Sequence, residues 1–326
     1  MFVTSRLYTD AVTTGPSRST METGTGGPGT PGGGGNRVRP GDGRLNDRTT
    51  NQETVDFGDV KVIFRLCPNC GHDNQGSEKI PYCPDTWDMT ACARCAFIYL
   101  EKSVAYEELL SNMAWEKTSK AEEKRRARSR PISYRFSALT RKRLHLFPRK
   151  NAALLVGRYA RPGRVLDLGC GDGGPAQDLS ERFVPFGIEI SATLAQRANA
   201  VFERRGGHVV NAPCVTGLKT FPDNYFSAAT LRSYLEHELK PKEVLHELFR
   251  CMDDNAVAVI KVPNYGCVNR MVTGRNWCGF RFPDHLNYFT PSSLRTMVRD
   301  CGFAIRRFTL MDHLPTSDNM WMIIGK

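Results

Sequence analysis

The sequence predicts an α/β fold with a doubly wound parallel sheet, preceded by a small metal-binding ribbon. Three observations support this prediction. Strand-like and helix-like segments alternate from Asn151 to Lys326 with short links, which is typical of a sheet covered by helices on both faces. A glycine-rich turn follows the first of these strands, and two Cys-x-x-Cys pairs precede the whole alternation.

Length and composition suit a protein with a buried core. The 326 residues allow about two domains, and 40% hydrophobic with 24% charged residues are ordinary values for a globular protein. No stretch has the roughly 20 apolar residues of a membrane-spanning helix, and residues 1–20 lack the apolar core of a signal peptide. Eleven cysteines, an odd number, then predict reduced thiols and a cytoplasmic protein.

Residues 1–56 predict a disordered tail rich in Gly, Thr and Pro. Eleven of the 29 residues in the range 15–43 are glycine. This composition buries too little apolar surface to offset the entropy of ordering the backbone. Binding of a partner is the alternative interpretation of the tail.

A zinc-ribbon-like module is predicted over residues 57–100, with strand-like runs at 60–64 and 97–100. The two Cys-x-x-Cys pairs are separated in sequence by a distance that lets them supply four thiolates to one tetrahedral Zn²⁺. These ligands are Cys67, Cys70, Cys92 and Cys95. A closed four-thiolate site is structural, so we expect one zinc with no part in catalysis. It would stabilise a unit that is too small for a core of its own. Two unrelated pairs of buried cysteines, or a redox dithiol, are the alternatives.

Residues 101–150 predict a basic helical connector. They hold 14 Lys and Arg against 6 Asp and Glu, and an apolar stripe at helical spacing runs from Tyr106 to Met113. The basic runs 124–130 and 141–143 suit RNA, an anionic membrane surface or a phosphorylated substrate, and a solvated helix face is the alternative. Aromatic residues are sparse in the densest run, which gives little support for stacking on single-stranded bases.

The domain over residues 151–326 opens with a predicted strand at 164–168. Further strands are predicted at 185–190, 208–210, 227–231, 257–262, 303–310 and 320–324, and helices at 175–183, 192–205, 241–252 and 292–301.

The turn after the first strand predicts a nucleoside site. Gly169 and Gly171 let the backbone approach a ligand without a Cβ in the way. With Gly174 they also match the dinucleotide pattern G-x-G-x-x-G, but a carboxylate at Asp167 repels a pyrophosphate and suits a cation. Glu189, at the end of the second strand, is placed to accept both ribose hydroxyls. A nucleoside with ribose and positive charge but no phosphate fits, and S-adenosylmethionine is such a compound.

With these motifs the sequence resembles the class I S-adenosylmethionine-dependent methyltransferases, in the subgroup that includes ubiquinone-biosynthesis O-methyltransferases. Its motifs follow in family order as Val165–Gly171, Phe186–Ser191, Phe221–Phe226, Leu235–His237, Val262–Asn264, Pro283–Leu286 and Cys301–Phe303. The resemblance implies a Rossmann-like methyltransferase sheet. With the residues above, it implies a cofactor site of Asp167, Gly169, Cys170, Gly171, Glu189, Ile190, Ala212 and Leu231.

Three positions depart from the family pattern. Ser227 stands where the family usually has Asp, and Ala212-Pro213 replaces the usual Gly-Asp or Gly-Ser after the third strand. Ser233 stands where the ubiquinone enzymes have a glutamate that helps to hold a divalent metal. No metal is therefore expected beside the cofactor.

The methyl acceptor is expected at the loops after the fourth and fifth strands, because the cofactor lies across the carboxyl ends of the strands. The aromatic and basic stretch 264–288 in the second loop suits a sugar ring or an anionic conjugate. A hydroxyl acceptor benefits from a base, and His285 is the predicted general base, with His237 as the second candidate. Structural roles are the alternative, in which His237 caps or packs a helix start and His285 pins the loop.

Three functions remain open at this stage. The first is O-methylation of a small-molecule or carbohydrate-like acceptor. The second is RNA methylation, with the zinc module and basic segment as the RNA-binding surface, although no Asn/Asp-Pro-Pro-Tyr/Phe motif follows the fourth strand. The third is a non-catalytic zinc-ribbon adaptor, against which the intact turn at Asp167 and the acid at Glu189 argue.

Overall fold

A computed structural model describes residues 62–80, 82–83, 87–104 and 150–326. The predicted tail lies outside these ranges, and so does almost all of the predicted basic connector. The connector's first residues form a strand instead of a helix, since Lys102–Val104 are extended. In the described part of the chain, no helix is both long and apolar enough to cross a membrane.

Residues 62–104 form a small unit of short strands around the two cysteine pairs. These strands are β1 Val62–Phe64, β2 Met89–Ala91, β3 Ile98–Leu100 and β4 Lys102–Val104. β1 pairs with β4 and β2 pairs with β3, both antiparallel. Strands therefore lie where the two strand-like runs of the module predicted them.

A seven-stranded sheet forms the centre of residues 150–326. Its members are β5 Gly163–Leu168, β6 Phe183–Glu189, β7 Val209–Asn211, β8 Phe226–Arg232, β9 Met252–Pro263, β11 Ala304–Arg307 and β12 Asn319–Gly325. The strand order is β11-β12-β9-β8-β5-β6-β7. The five strands from β5 to β9 pair in parallel, as predicted. The last two do not, since β12 is antiparallel to both β9 and β11. Only the short 3₁₀ helix Leu310–Asp312 lies between β11 and β12, whereas a parallel pair requires a longer crossover connection.

Six helices accompany the sheet in residues 150–326. They are α1 Ala152–Tyr159, α2 Ala192–Phe202, α3 Cys214–Leu218, α4 Pro241–Cys251, α5 Val268–Thr273 and α6 Pro291–Asp300. Side-chain caps begin three of them, because Asn151, Ser191 and Thr290 each accept a hydrogen bond from a backbone N–H of the first turn. The prediction of a helix at 175–183 is wrong. Only the 3₁₀ helix Gly174–Asp178 forms there, since β6 already begins at Phe183.

Helices cover both faces of the sheet, which is the doubly wound arrangement. Side chains alternate along β5, so that Val165 packs with α1 and α2, through residues such as Val156 and Phe202, on one face. Leu166 and Leu168 belong to the larger cluster on the other face, which includes α4 and α6. The carboxyl ends of the parallel strands lie side by side along one edge of the sheet, between the two layers of helices.

The loop after β9 joins the cysteine-rich unit. It carries β10 Asn287–Tyr288, which pairs antiparallel with β3. Three of its rings, Trp277, Phe280 and Tyr288, are at most 3% exposed and pack in one cluster with Trp87 and Met89. These rings are core residues, so the expectation that this stretch contacts the acceptor is wrong for them.

Candidate active site and metal centre

Asp167 lies at the carboxyl end of β5, beside Gly187 of β6 and Thr230 of β8. The Thr230 hydroxyl donates a hydrogen bond to its Oδ1. Burial raises the pKa of Asp167 to about 6, and the charge of Glu189 adds to the rise, although Thr230 and Arg232 oppose it. A buried carboxylate is costly to ionise without a cation, and a cationic ligand removes that cost.

The glycine turn after β5 leaves space for a ligand. Gly169 and Gly171 have φ of 67° and 57°, a region that L-residues with a Cβ rarely adopt. A Cβ at Gly171 would meet no atom within 4 Å, whereas one at Gly169 would lie 2.8 Å from the Tyr234 ring. The Cys170 side chain is buried behind the turn, against Gly187. Only the backbone of Cys170 therefore faces the space beside Gly171.

Glu189 closes the turn from the end of β6. Its Oε2 accepts the Gly171 N–H at 2.9 Å, and its Oε1 accepts the Ser191 N–H at 2.9 Å. Each carboxylate oxygen has a second lone pair for a further donor. The Asn211 amide donates to the carbonyls of Glu189 and Ile190, which holds this strand end in place. Glu189 is thus fixed with capacity left for two hydroxyl donors.

The other predicted cofactor residues lie around this edge in different ways. Ile190 and Ala212 are half-buried and directly follow β6 and β7. Leu231 is fully buried in the core cluster of the sheet, so only its backbone is left to contact a ligand. The structure therefore brings Asp167, the glycine turn and Glu189 together, and leaves the Leu231 side chain out.

A second group of polar side chains is formed by the turn after β8 and the loop after β9. Glu236, His237 and His285 each bring one polar atom within 4.8 Å of the others, and the two imidazole centroids are 4.7 Å apart. Nδ1 of His237 lies 2.8 Å from the carbonyl oxygen of Asp284, and Nδ1 of His285 lies 2.8 Å from that of Gly279. Because a carbonyl only accepts, Nδ1 carries the proton in both rings, and Nε2 is the basic nitrogen.

Burial sets the protonation of this group. Glu236 is 1% exposed, its Oε2 has no hydrogen-bond partner, and burial raises its pKa to about 8 although Lys261 and Arg281 oppose the rise. Burial, followed by the charge of Arg281, lowers the pKa of His237 to about 4. His237 is therefore neutral near pH 7. One carboxylate and two imidazoles form a donor set that could hold a metal ion or transfer a proton.

Tyr234 is a site residue that motif analysis missed. Its ring packs against Gly169, and its hydroxyl donates to the buried carboxylate of Glu238. Tyr234 therefore contacts both the glycine turn and the segment that carries Glu236 and His237. Its place directly before Leu-Glu-His was the available signal in the sequence.

The four cysteines of the small unit converge on one point. Sγ of Cys67 lies 3.6 Å from Sγ of Cys95, Sγ of Cys70 lies 3.5 Å from Sγ of Cys92, and all four sulfurs lie within 4.8 Å of one another. A tetrahedral zinc with bonds of about 2.3 Å separates its sulfurs by roughly 3.8 Å, whereas a disulfide needs about 2 Å. The spacing thus fits four thiolates around one Zn²⁺.

The two cysteine loops share one backbone pattern. Cys67 N–H donates to His72 O and Gly71 N–H to Cys67 O, and Cys92 and Ala96 repeat both bonds in the second loop. Gly71 and Ala96 take the same left-handed conformation, with φ of 72° and 56°. Both loops therefore hold their cysteines with the same backbone hydrogen bonds, and together they supply the four ligands of a closed structural site.

Comparisons with known proteins identify one family. The family described as "Methyltransferase domain" matches residues 133–307, more than half of the chain, and no curated protein matches the sequence. A methyltransferase structure from Archaeoglobus fulgidus, titled as dependent on S-adenosylmethionine, is 19% identical over 53% of this chain and 90% of its own, with a TM-score of 0.43. One from Methanosarcina mazei is 16% identical over 54% and 99%, with a TM-score of 0.44. One from Clostridium acetobutylicum is 11% identical over 59% and 98%, also with a TM-score of 0.44.

These TM-scores are below 0.5, so the assignment rests on the family match, with which the sheet order and the acid–glycine–acid edge are consistent. The chain belongs to the methyltransferase-domain family and is a class I S-adenosylmethionine-dependent methyltransferase.

Proposed function

We propose that this protein methylates a hydroxyl oxygen of a small-molecule or carbohydrate-like acceptor. The proposal is carried by the group formed by Glu236 and His237, from the turn after β8, and His285, from the loop after β9. A hydroxyl nucleophile has to lose its proton, and a neutral imidazole with a basic Nε2 is suited to accept it. The bound cofactor supplies an electrophilic methyl group on a sulfonium.

The chain's own residues have three tasks in this proposal. Asp167 accepts the cofactor's positive end, and the backbone of Gly171 and the Glu189 carboxylate hold its ribose. His285 accepts the hydroxyl proton at Nε2, and the buried group around it excludes water from the transfer. Alignment of the reacting atoms at about 3–3.5 Å supplies much of the acceleration in such a displacement.

Glu189→Ala tests the cofactor site. We expect its affinity for S-adenosylmethionine to fall at least about 100-fold, since two hydrogen bonds to a charged acceptor contribute about 1.5–3 kcal/mol each. Isothermal titration calorimetry measures it directly. Glu203→Ala, at an exposed glutamate just after α2, is the matched control and keeps the parent affinity. Parent-like binding by Glu189→Ala would favour the non-catalytic adaptor.

Cofactor binding is expected to depend on pH through Asp167. Its carboxyl is ionised above its pKa of about 6 and neutral below it, and only the ionised form attracts the cofactor's sulfonium and ammonium. Affinity should therefore be full near pH 8 and about tenfold lower near pH 5. Asp167→Asn should bind weakly at both values. A flat pH profile for the parent protein would contradict the role given to Asp167.

The identity of the methyl acceptor distinguishes the proposed function from RNA methylation. Incubation with radiolabelled cofactor and a cell extract, followed by fractionation, shows whether label enters small molecules, glycan, RNA or protein. Label in the small-molecule or glycan fraction supports the proposal. Label in RNA favours the second function, in which the basic residues between 101 and 150 bind the nucleic acid. A reducing, cytoplasmic location is part of the proposal, because it keeps the four thiolates available for zinc.

A further inference from the structure

A buried arginine of the cysteine-rich unit reaches the acceptor side of the site. Arg65 is 8% exposed. Its Nη1 donates to the carbonyls of Leu100 at 3.0 Å and Leu286 at 3.3 Å, and its Nη2 donates to Leu239 O at 3.1 Å and to Asn287 Oδ1 at 3.0 Å. One guanidinium therefore ties β3 of the small unit to two separate segments of the methyltransferase domain.

Asn287 extends this network to the turn after β8. Its Nδ2 donates to Leu235 O at 2.8 Å and to Glu238 O at 2.6 Å. The backbone N–H groups of Leu286 and Asn287 both donate to Glu236 O, at 2.7 and 3.0 Å. Every one of these bonds joins the turn that carries Glu236 and His237 to the segment that carries His285.

We propose that Arg65 is a positioning residue that sets the distance between His237 and His285. The proposal rests on the function proposed for those histidines. Arg65 acts through the carbonyl of Leu286 and the amide of Asn287, each next to or near His285 in sequence. The cysteine-rich unit is thus a structural part of the acceptor site, and its own contacts decide whether the two imidazoles lie within reach of one substrate.

The bonds of this network do not end on the cofactor side, although Glu238 also accepts from Tyr234, whose ring packs against Gly169. Asp167, the glycine turn and Glu189 are held by β5, β6 and β8, and none of the bonds of Arg65 or Asn287 given above reaches them. Loss of Arg65 should therefore disturb the acceptor side more than the cofactor side. A residue that merely stabilises the fold would weaken both sides together.

Arg65→Met tests the proposal in the full-length protein labelled with ¹⁵N-histidine. It keeps an apolar stem of similar length and removes the donors. We expect the ring nitrogen signals of His237 and His285 to shift, while those of the exposed His246 stay unchanged. We also expect backbone hydrogen exchange at Leu286 and Asn287 to rise at least about tenfold, because a charged donor network is lost.

Arg250→Met is the matched control. Arg250 is half-buried and, like Arg65, donates to backbone carbonyls, here Leu218 O and Phe221 O, both at 3.0 Å, but it lies at the opposite end of the sheet. This variant should leave both histidine signals unchanged. Arg65→Lys, which restores one cation but not the planar fork, should recover the signals only in part.

Asn287→Asp covers the case in which Arg65→Met does not fold. It keeps an acceptor for Arg65 and removes the donors to Leu235 O and Glu238 O, so the same two signals should shift. Unchanged signals in the folded variants overturn the proposal, and so does a loss of cofactor affinity that matches the shift. Cofactor affinity of the unmodified protein is measured separately, so failure of the proposed function is distinguished from failure of the role of Arg65.

Discussion

Replacing Cys67 and Cys92 together by serine is expected to abolish zinc binding and to unfold residues 62–104. Together the two changes remove one thiolate from each loop of the four-sulfur cluster. Structural zinc contributes about 10–16 kcal/mol in zinc-finger peptides, which is comparable to the whole stability of an ordinary domain. Elemental analysis of the purified protein should give one zinc per chain for the parent and none for the double variant.

Cys83→Ser is the control for this experiment. Cys83 lies between the two loops in sequence and is not among the four clustered sulfurs. It should keep one zinc per chain. Hydrogen exchange across β2 and β3 reports on the folding of the unit, and exchange at Phe289 should rise with it, since Phe97 and Phe289 stack edge to face at 5.3 Å. A zinc-free double variant with parent-like exchange would contradict the structural role.

The parts of the fold that local sequence patterns determine could be predicted. The Cys-x-x-Cys spacing predicted which four sulfurs converge, because each loop is closed by its own backbone bonds. Asp167 and Glu189 were correctly placed together, because both end neighbouring parallel strands and such ends share one edge of a sheet. In these cases the chemistry lies within a few residues of the motif.

The remainder depends on contacts between distant parts of the chain. Arg65 and Asn287 are 222 residues apart in sequence, and neither belongs to a periodic pattern. The burial of Trp277 follows from packing with the cysteine-rich unit, and a loop composition alone does not distinguish an exposed ring from a buried one. The antiparallel β12 has the same apolar composition as a parallel strand, so composition does not indicate its direction. Only the connection that precedes β12 determines that direction.

The left-handed residue of the second cysteine loop shows a related limit. Glycine at position 71 signals a tight turn, but alanine occupies the equivalent position 96 with φ of 56°. The conformation there is imposed by the loop's hydrogen bonds and by the convergence of the sulfurs. A residue preference of about 1–2 kcal/mol is small beside the free energy of binding a structural metal.

His285→Ala is expected to lower turnover by 10²–10⁴-fold, the usual contribution of a general base. The ring is 4% exposed, and its Nδ1–H donates to Gly279 O, which leaves Nε2 as the proton acceptor. His237 is the weaker candidate, because burial and Arg281 lower its pKa to about 4 and leave it a poor base. Initial rates with the acceptor fraction identified by labelling, and cofactor affinity by calorimetry, are the two measurements. Cofactor affinity should stay close to that of the parent.

His285→Asn separates catalysis from pinning of the loop. The asparagine amide retains a donor for Gly279 O, as Nδ1–H does, but it has no nitrogen that accepts a proton near pH 7. If His285 is the base, this variant folds, binds the cofactor and is as slow as His285→Ala. Recovery of turnover in His285→Asn would instead show that His285 only holds the loop in place. His246→Ala, at an exposed histidine of α4, should keep the parent rate, because it lies outside the group that handles the proton.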